Sequence, residues 1–253
     1  MSNKALFISI LLIILVASAG AGYFYWQQTK PLKIEVKDQN MDQTNSENND
    51  TIIPVVPDNT TANNTDPDQC VRNFDANKLA QNGSIKISGR QVELDVKGFG
   101  KINLEFYDKD APKTVENFLR LADSGYFNCL TFHRVAKGFV IQGGDPNGNG
   151  TGGISAFGAK FEDELNPNTP SYKAGYVKGV LAMANSGPGT NGSQFFIMLA
   201  DNQLPNAYTI FGKVSSGMDI VEKIGQVDIT PQMGPTDGAP KTPVVMQSVK
   251  IIK

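Results

Sequence analysis

Two residue types that carry much of enzyme chemistry are nearly missing from this sequence. Histidine occurs once, as His133, and cysteine twice, as Cys70 and Cys129. A single histidine excludes a histidine-based acid/base pair and any multi-histidine metal site. Two isolated cysteines exclude a disulfide framework and a CxxC zinc or redox centre, while one bridge between them stays open. Surplus charge is missing as well: 23 Lys and Arg stand against 25 Asp and Glu. Phosphate backbones are held by clustered cations that displace counterions, so the charge gives no reason to expect nucleic acid as a partner. What is present, 40% hydrophobic and 19% charged residues in a chain of 253, is enough to build a sizeable core.

The one long apolar run lies at the start. Ala5 to Trp26 is 22 residues without a charge, and at 1.5 Å per residue that length crosses a hydrocarbon core of roughly 30 Å. Tyr23, Phe24, Tyr25 and Trp26 close it as an aromatic belt would. Run length and belt favour an uncleaved anchor in residues 1–29 over a cleaved signal, for which Ala17-Ser18-Ala19 or Ala19-Gly20-Ala21 would be the sites. The expectation is a single-pass membrane protein with its catalytic domain outside the cytoplasm, the alternative being secretion after cleavage. Residues 30–74 then read as a tether. Between 38 and 69 there are seven acidic residues, no Lys or Arg, and many Asn and Thr, too little apolar surface to offset chain entropy, so a disordered linker is expected.

Residues 75–253 read as one globular domain. Val92, Leu94 and Val96 alternate with polar residues, a glycine-containing turn follows, and Ile102, Leu104 and Phe106 alternate again, which predicts a hairpin with one buried face. Asp110-Ala111-Pro112 offers a capping carboxylate and an early proline. After it Val115, Phe118, Leu119 and Ala122 recur at helical spacing until Gly125. Further short apolar segments lie at 139–142, 180–184, 194–199, 208–214 and 244–251, with a second helix at 218–224. Many short strands and two helices predict a mainly β domain, a closed or nearly closed antiparallel barrel.

Some patterns promise more than they hold. Gly148, Gly150 and Gly153 have dinucleotide spacing, but no helix follows to hold a pyrophosphate. Asp145, Asn147, Asn149 and Gly150 imitate the opening of a calcium loop, yet Ala156 stands where the bidentate carboxylate belongs. Cys129 and His133 share a face of an extended segment, too far apart to hydrogen bond, so each is read as structural. Glu162, Asp163 and Glu164 read as a solvated acidic cluster.

Several ordered blocks together carry more. They are Ala111-Pro112-Lys113-Thr114-Val115-Glu116-Asn117-Phe118, Phe132-His133-Arg134 leading to Gln142-Gly143-Gly144-Asp145, Leu181-Ala182-Met183-Ala184-Asn185, Ser193-Gln194-Phe195-Phe196, and Phe211-Gly212-Lys213-Val214. Over roughly 91–253 the chain resembles the cyclophilins, peptidyl-prolyl cis/trans isomerases. The resemblance implies an eight-stranded closed β-barrel capped by two α-helices, a monomeric catalytic domain, no cofactor and no metal, and proline-containing peptide segments as substrates. It places Arg134 and Gln142 at the catalytic positions, with Phe139, Val140, Phe196 and Leu204 around the proline ring, Tyr208 at one wall of the substrate site, and Ala184, Asn185 and Gln194 along the peptide backbone. Alternation supports part of this independently, since Gln194 and Phe196 share one face of a strand while Phe195 and Ile197 point to the other. Gln203 stands where many relatives carry Trp, which bears on inhibitors of the cyclosporin type, and Tyr208 stands where many carry His, which changes one wall of the site without removing Arg134. A tethered module that binds proline segments without turnover would use the same pocket.

Overall fold

The computed structural model describes residues 70–80 and 85–253, so the apolar run at 5–26 and the acidic stretch at 38–69 lie outside the described residues. Among the described residues no helix is long and apolar enough to cross a membrane.

The alternating segment forms the expected hairpin. β1 (Gln91–Val96) pairs antiparallel with β2 (Gly100–Phe106), placing Val92 against Leu104 and Leu94 against Ile102. All four side chains are fully buried, because period-two alternation puts them on one face. α1 (Ala76–Ala80) precedes this hairpin, and α2 (Pro112–Asp123) follows it. α2 sinks Val115, Phe118, Leu119 and Ala122 into the core and packs on the strands Ile210–Ser216 and Met246–Ile251. Gly125 ends it at φ +73°, where a Cβ would stand 2.8 Å from the Asn73 carbonyl. Only glycine meets both conditions.

The start of α2 differs from the expectation. Asp110 does not cap it; that carboxylate accepts the Ser171 N–H at 2.9 Å. The cap comes from Glu164, which accepts the backbone N–H groups of Lys113 and Thr114 at 3.1 and 2.8 Å and the Thr114 hydroxyl at 2.7 Å. A carboxylate there satisfies orphan donors and faces the positive end of the helix dipole. Glu164→Ala is expected to cost about 1–2 kcal/mol in urea unfolding. Unchanged stability would mean that water serves these donors equally well. Of the acidic cluster only Glu162 is solvated, in an exposed pair with Lys113.

The remaining elements are β3 (Phe132–Ala136), β4 (Val140–Gly143), α3 (Pro170–Ala174), β5 (Val180–Met183), β6 (Phe195–Met198), β7 (Ile210–Ser216), α4 (Met218–Ile224), β8 (Ile229–Pro231), β9 (Asp237–Pro240) and β10 (Met246–Ile251). The closed eight-stranded barrel does not form. Among the described residues ten strands make one open ladder in the order β10-β1-β2-β7-β5-β6-β4-β3-β9-β8. The β8–β9 hairpin, unforeseen in the sequence, occupies the outer edge of β3 through Val135–Gly238 and Ala136–Asp237. The chain just ahead of β3 meets the run before β10 at one isolated bridge, Thr131 with Val245, so the ladder ends at β8 and β10. The expected helices at 112–123 and 218–224 are present, and α1 and α3 add five residues each.

The curved sheet separates two apolar clusters. Phe118, Phe127, Phe132, Phe195 and Phe211 lie in the larger one, their rings in edge, tilted and stacked contact. Val140, Val180, Ala182, Phe196, Met198 and Ile210 form the smaller one. Alternation along β6 therefore assigns Phe195 and Ile197 to one side and Phe196 and Met198 to the other.

Candidate active site

The smaller cluster supplies the apolar wall of the site. Phe139, Ala184, Leu204 and Tyr208 pack around buried Val140 and Phe196. Tyr208 meets Phe196 edge to face, with ring centroids 5.7 Å apart, an arrangement aromatic quadrupoles favour. Tyr208 is held from behind by Tyr176, which no sequence pattern marked. The Tyr176 hydroxyl donates to the Tyr208 carbonyl at 2.9 Å and accepts the Tyr208 N–H at 3.1 Å. Burial raises the pKa of that hydroxyl, so the proton it donates is retained.

Beside this wall runs a chain of polar groups. β3 pairs with β4 so that Arg134 stands opposite Gln142, and β4 pairs with β6 so that Gln142 stands opposite Phe196. The Arg134 Nη1 donates to Gln142 Oε1 at 3.0 Å, and Gln142 Nε2 donates to Gln194 Oε1 at 3.0 Å. Gln194 Nε2 in turn donates to the carbonyls of Gly150 and Gly152 at 2.9 and 2.8 Å. Each amide is thereby fixed in one orientation, because a carboxamide oxygen cannot donate.

The loop that receives Gln194 explains the tempting motifs. Asp145 is fully buried and accepts the backbone N–H groups of Asn147, Asn149 and Gly150. The glycines let the chain wrap tightly around this carboxylate, and a Cβ on Gly152 would run into it. The Asp145–Gly153 segment is thus a self-satisfied turn.

On its other side Arg134 is gripped by Asp237. Nε donates to Oδ1 at 2.8 Å and Nη2 to Oδ2 at 2.7 Å, with both side chains mostly shielded. Asp237 had no signal in the sequence; only the register of β9 against β3 brings it here. A cavity of about 220 Å³ opens along Arg134 and Gln142, bounded also by His133, Asn149, Gly150 and Met233. Burial holds the His133 imidazole below its ordinary pKa, so it is neutral near pH 7.

Two of the expected backbone-binding residues have their side-chain donors occupied. Both amide hydrogens of Gln194 are taken by the turn. Asn185 Nδ2 donates to Asp163 Oδ1 at 3.1 Å and to the Ala207 carbonyl at 2.9 Å. Asp163, read in the sequence as part of a solvated acidic cluster, instead also receives Asn191 Nδ2 at 2.8 Å and Gly189 N–H at 2.8 Å. These residues shape the site and leave oxygen lone pairs and main-chain groups for a ligand. The Ala184 N–H is committed to the Gln194 carbonyl at 3.0 Å.

Residues 91–251 match the family described as cyclophilin type peptidyl-prolyl cis-trans isomerase. The chain belongs to the cyclophilins. It is 50% identical over 155 residues to the human peptidyl-prolyl cis-trans isomerase-like 1, covering 61% of this chain and 85% of that protein; the Bos taurus relative gives the same figures. A crystal structure of a Cryptosporidium parvum cyclophilin superposes with a TM-score of 0.58 at 34% identity, covering 65% of this chain and 98% of that one. A second crystal structure of that protein, in the presence of the dipeptide Ala-Pro, gives 0.57 at the same identity, covering 64% of this chain and 99% of that one. This cyclophilin is a peptidyl-prolyl cis-trans isomerase, and proline-containing peptides are what such enzymes act on. Arg134, Gln142, Phe139, Val140, Phe196, Leu204 and Tyr208 converge on one surface of it, with Asn185 and Gln194 bracing the edge.

Proposed function

We propose that this cyclophilin accelerates rotation about X-Pro bonds in exported or membrane-proximal proteins, with Arg134 stabilising the twisted prolyl nitrogen. The uncatalysed rotation takes tens to hundreds of seconds because amide resonance must be lost, at a barrier near 20 kcal/mol. No bond to the protein has to form. Once the amide twists, the nitrogen lone pair localises and accepts a hydrogen bond that the planar amide offers poorly. A donor aimed at that nitrogen is therefore worth more in the transition state than in the ground state. Bringing a process of about 100 s to milliseconds requires about 7 kcal/mol, at 1.36 kcal/mol per tenfold. The observation that carries the reading is the placement of a thrice-bonded guanidinium beside an apolar wall built by Val140, Phe196 and Tyr208. The wall would hold the ring while Arg134 and Gln142 address the moving amide.

Exported clients are supported by the apolar run at 5–26 and by the disulfide between Cys70 and Cys129, a bond that persists in oxidising compartments. The domain would act as a monomer on a membrane tether. Two measurements test this. Exchange NMR on an Ala-Pro peptide should show interconversion on the millisecond scale with the folded full chain; no acceleration would leave a tethered proline-binding module. Protease added to intact cells should remove the domain while alkaline extraction leaves the chain in the membrane fraction. A protected, soluble chain would sink the exported reading alone.

A further inference from the structure

Arginine is a poor instrument for aiming a hydrogen bond unless something holds it, because its long side chain samples many rotamers. Here the guanidinium is held by a strand added to the outer edge of β3, near one end of the open ladder. Arg134 and Ala136 lie two apart on β3 and share a face, and Asp237 on β9 stands opposite Ala136. That register makes Asp237 the diagonal neighbour of Arg134, within reach of a long side chain. The carboxylate takes Nε and Nη2 side-on at 2.8 and 2.7 Å, the fork geometry that fixes a guanidinium plane as well as its position.

The backbone that carries this carboxylate is itself held firmly. The Asp237 carbonyl accepts the N–H groups of Gln232 and Met233 at 2.9 and 3.1 Å, and its N–H donates to Gly234 at 3.2 Å. Next to it the Thr236 carbonyl accepts the Lys137 N–H at 2.8 Å. At Gly238 a Cβ would collide with the Thr230 carbonyl, so β8 and β9 can close this tightly only with glycine there. With Asp237 on two donors and Gln142 on a third, two of the five guanidinium N–H bonds have no partner among the described residues.

We propose that Asp237 is a positioning residue for the isomerase reaction: delivered by the β8–β9 hairpin, it clamps the Arg134 guanidinium so that the remaining donors meet the prolyl nitrogen as it pyramidalises. This rests on the reading of Arg134 as the group that acts on that nitrogen. The carboxylate also takes up part of the positive charge. Alignment outweighs that loss, since a hydrogen bond weakens steeply off axis while the charge of a partly exposed pair is screened by solvent.

Asp237→Asn keeps the shape and removes the charge-assisted grip. In the full chain it is expected to lower kcat for an Ala-Pro peptide roughly tenfold, with KM little changed, because misalignment is felt in the transition state. The wild-type Arg134 Nε–H resonance, slowed in exchange by the carboxylate, should shift and broaden. In an Arg134→Ala background the same substitution should change nothing further. Unaltered or faster turnover in Asp237→Asn, or an equal loss in both backgrounds, would overturn the proposal, the latter assigning Asp237 to hairpin stability alone. If Asp237→Asn unfolds, Asp237→Glu is read instead, with partial recovery of kcat expected and wild-type kcat contradicting the need for a fixed plane. A folded wild-type chain without turnover would indict the role of Arg134 and is seen before any variant is made.

Discussion

Replacing Arg134 by alanine is expected to lower kcat/KM for an Ala-Pro peptide by roughly 10²- to 10³-fold, the usual loss when one preorganised donor is removed from a transition state. That range corresponds to about 3–4 kcal/mol of the roughly 7 kcal/mol needed, leaving the rest to the pocket and to Gln142. Most of the loss should fall on kcat, since the ring-holding residues Val140, Phe196, Leu204 and Tyr208 belong to an apolar cluster that does not depend on the arginine. Truncation has a side effect: the Asp237 carboxylate, already mostly shielded, is left without its partner, which costs about 1–3 kcal/mol of stability. Turnover is therefore compared well below the unfolding transition, with Arg134→Ala/Asp237→Asn as the control that removes both charges. Exchange NMR in the presence of each variant is the measurement. Retention of wild-type kcat by folded Arg134→Ala would leave ring immobilisation and Gln142 as the whole of the catalysis.

Where each part of this architecture was visible follows from how local its cause is. The β1–β2 hairpin and α2 could be read because Val92, Leu94 and Val96, or Val115, Phe118, Leu119 and Ala122, declare a burial period within a few residues. The two-sidedness of β6 was legible for the same reason. The β8–β9 hairpin was not. Its chain carries Pro231, Pro235 and Pro240 around Gly234 and Gly238, a composition that reads as turns. It becomes strand only because β3 offers an unpaired edge for Asp237 and Gly238 to join. The expected closure failed through the same element, as β9 now occupies that edge.

The site shows the same division. Arg134 and Gln142 sit in a compact block, and cross-strand register sets them opposite one another. Asp237 lies 103 positions from Arg134 and Asp163 lies 22 from Asn185, and neither separation carries any local periodicity. The α2 cap is the clearest case. Asp110 had the right chemistry in the right place along the chain, yet Glu164 reached the orphan donors through space and Asp110 turned to Ser171. Local pattern names the need for a cap; tertiary structure chooses which carboxylate meets it.

Cys70 and Cys129 were left open in sequence because two cysteines permit a bridge without requiring one; here they are joined, Cα to Cα 5.6 Å. A bridge closing a separation of 59 residues removes unfolded-chain entropy worth about 4 kcal/mol on a loop-closure estimate. Against a typical domain stability of about 5–15 kcal/mol that is a large share. Cys70→Ser/Cys129→Ser is therefore expected to lower the urea-unfolding free energy by about 4 kcal/mol, without lowering kcat at temperatures where it remains folded. Native contacts should survive the loss: Arg72 stacks on Tyr126 at 5.1 Å, Asn128 donates to Asn73 at 2.7 Å, and Asp75 N–H donates to Ser124 at 2.9 Å. The backbone supplies a second, finer test. Cys129 holds φ +64°, a left-handed conformation that costs a residue with a Cβ about 1–2 kcal/mol. Cys70→Ser/Cys129→Gly should accordingly be about 1 kcal/mol more stable than the double serine variant, despite the added freedom of glycine in the unfolded chain. If the double serine variant loses less than about 1 kcal/mol, the unfolded chain is already confined near the Cys70–Cys129 contact, and the entropy of loop closure is not what this bond contributes.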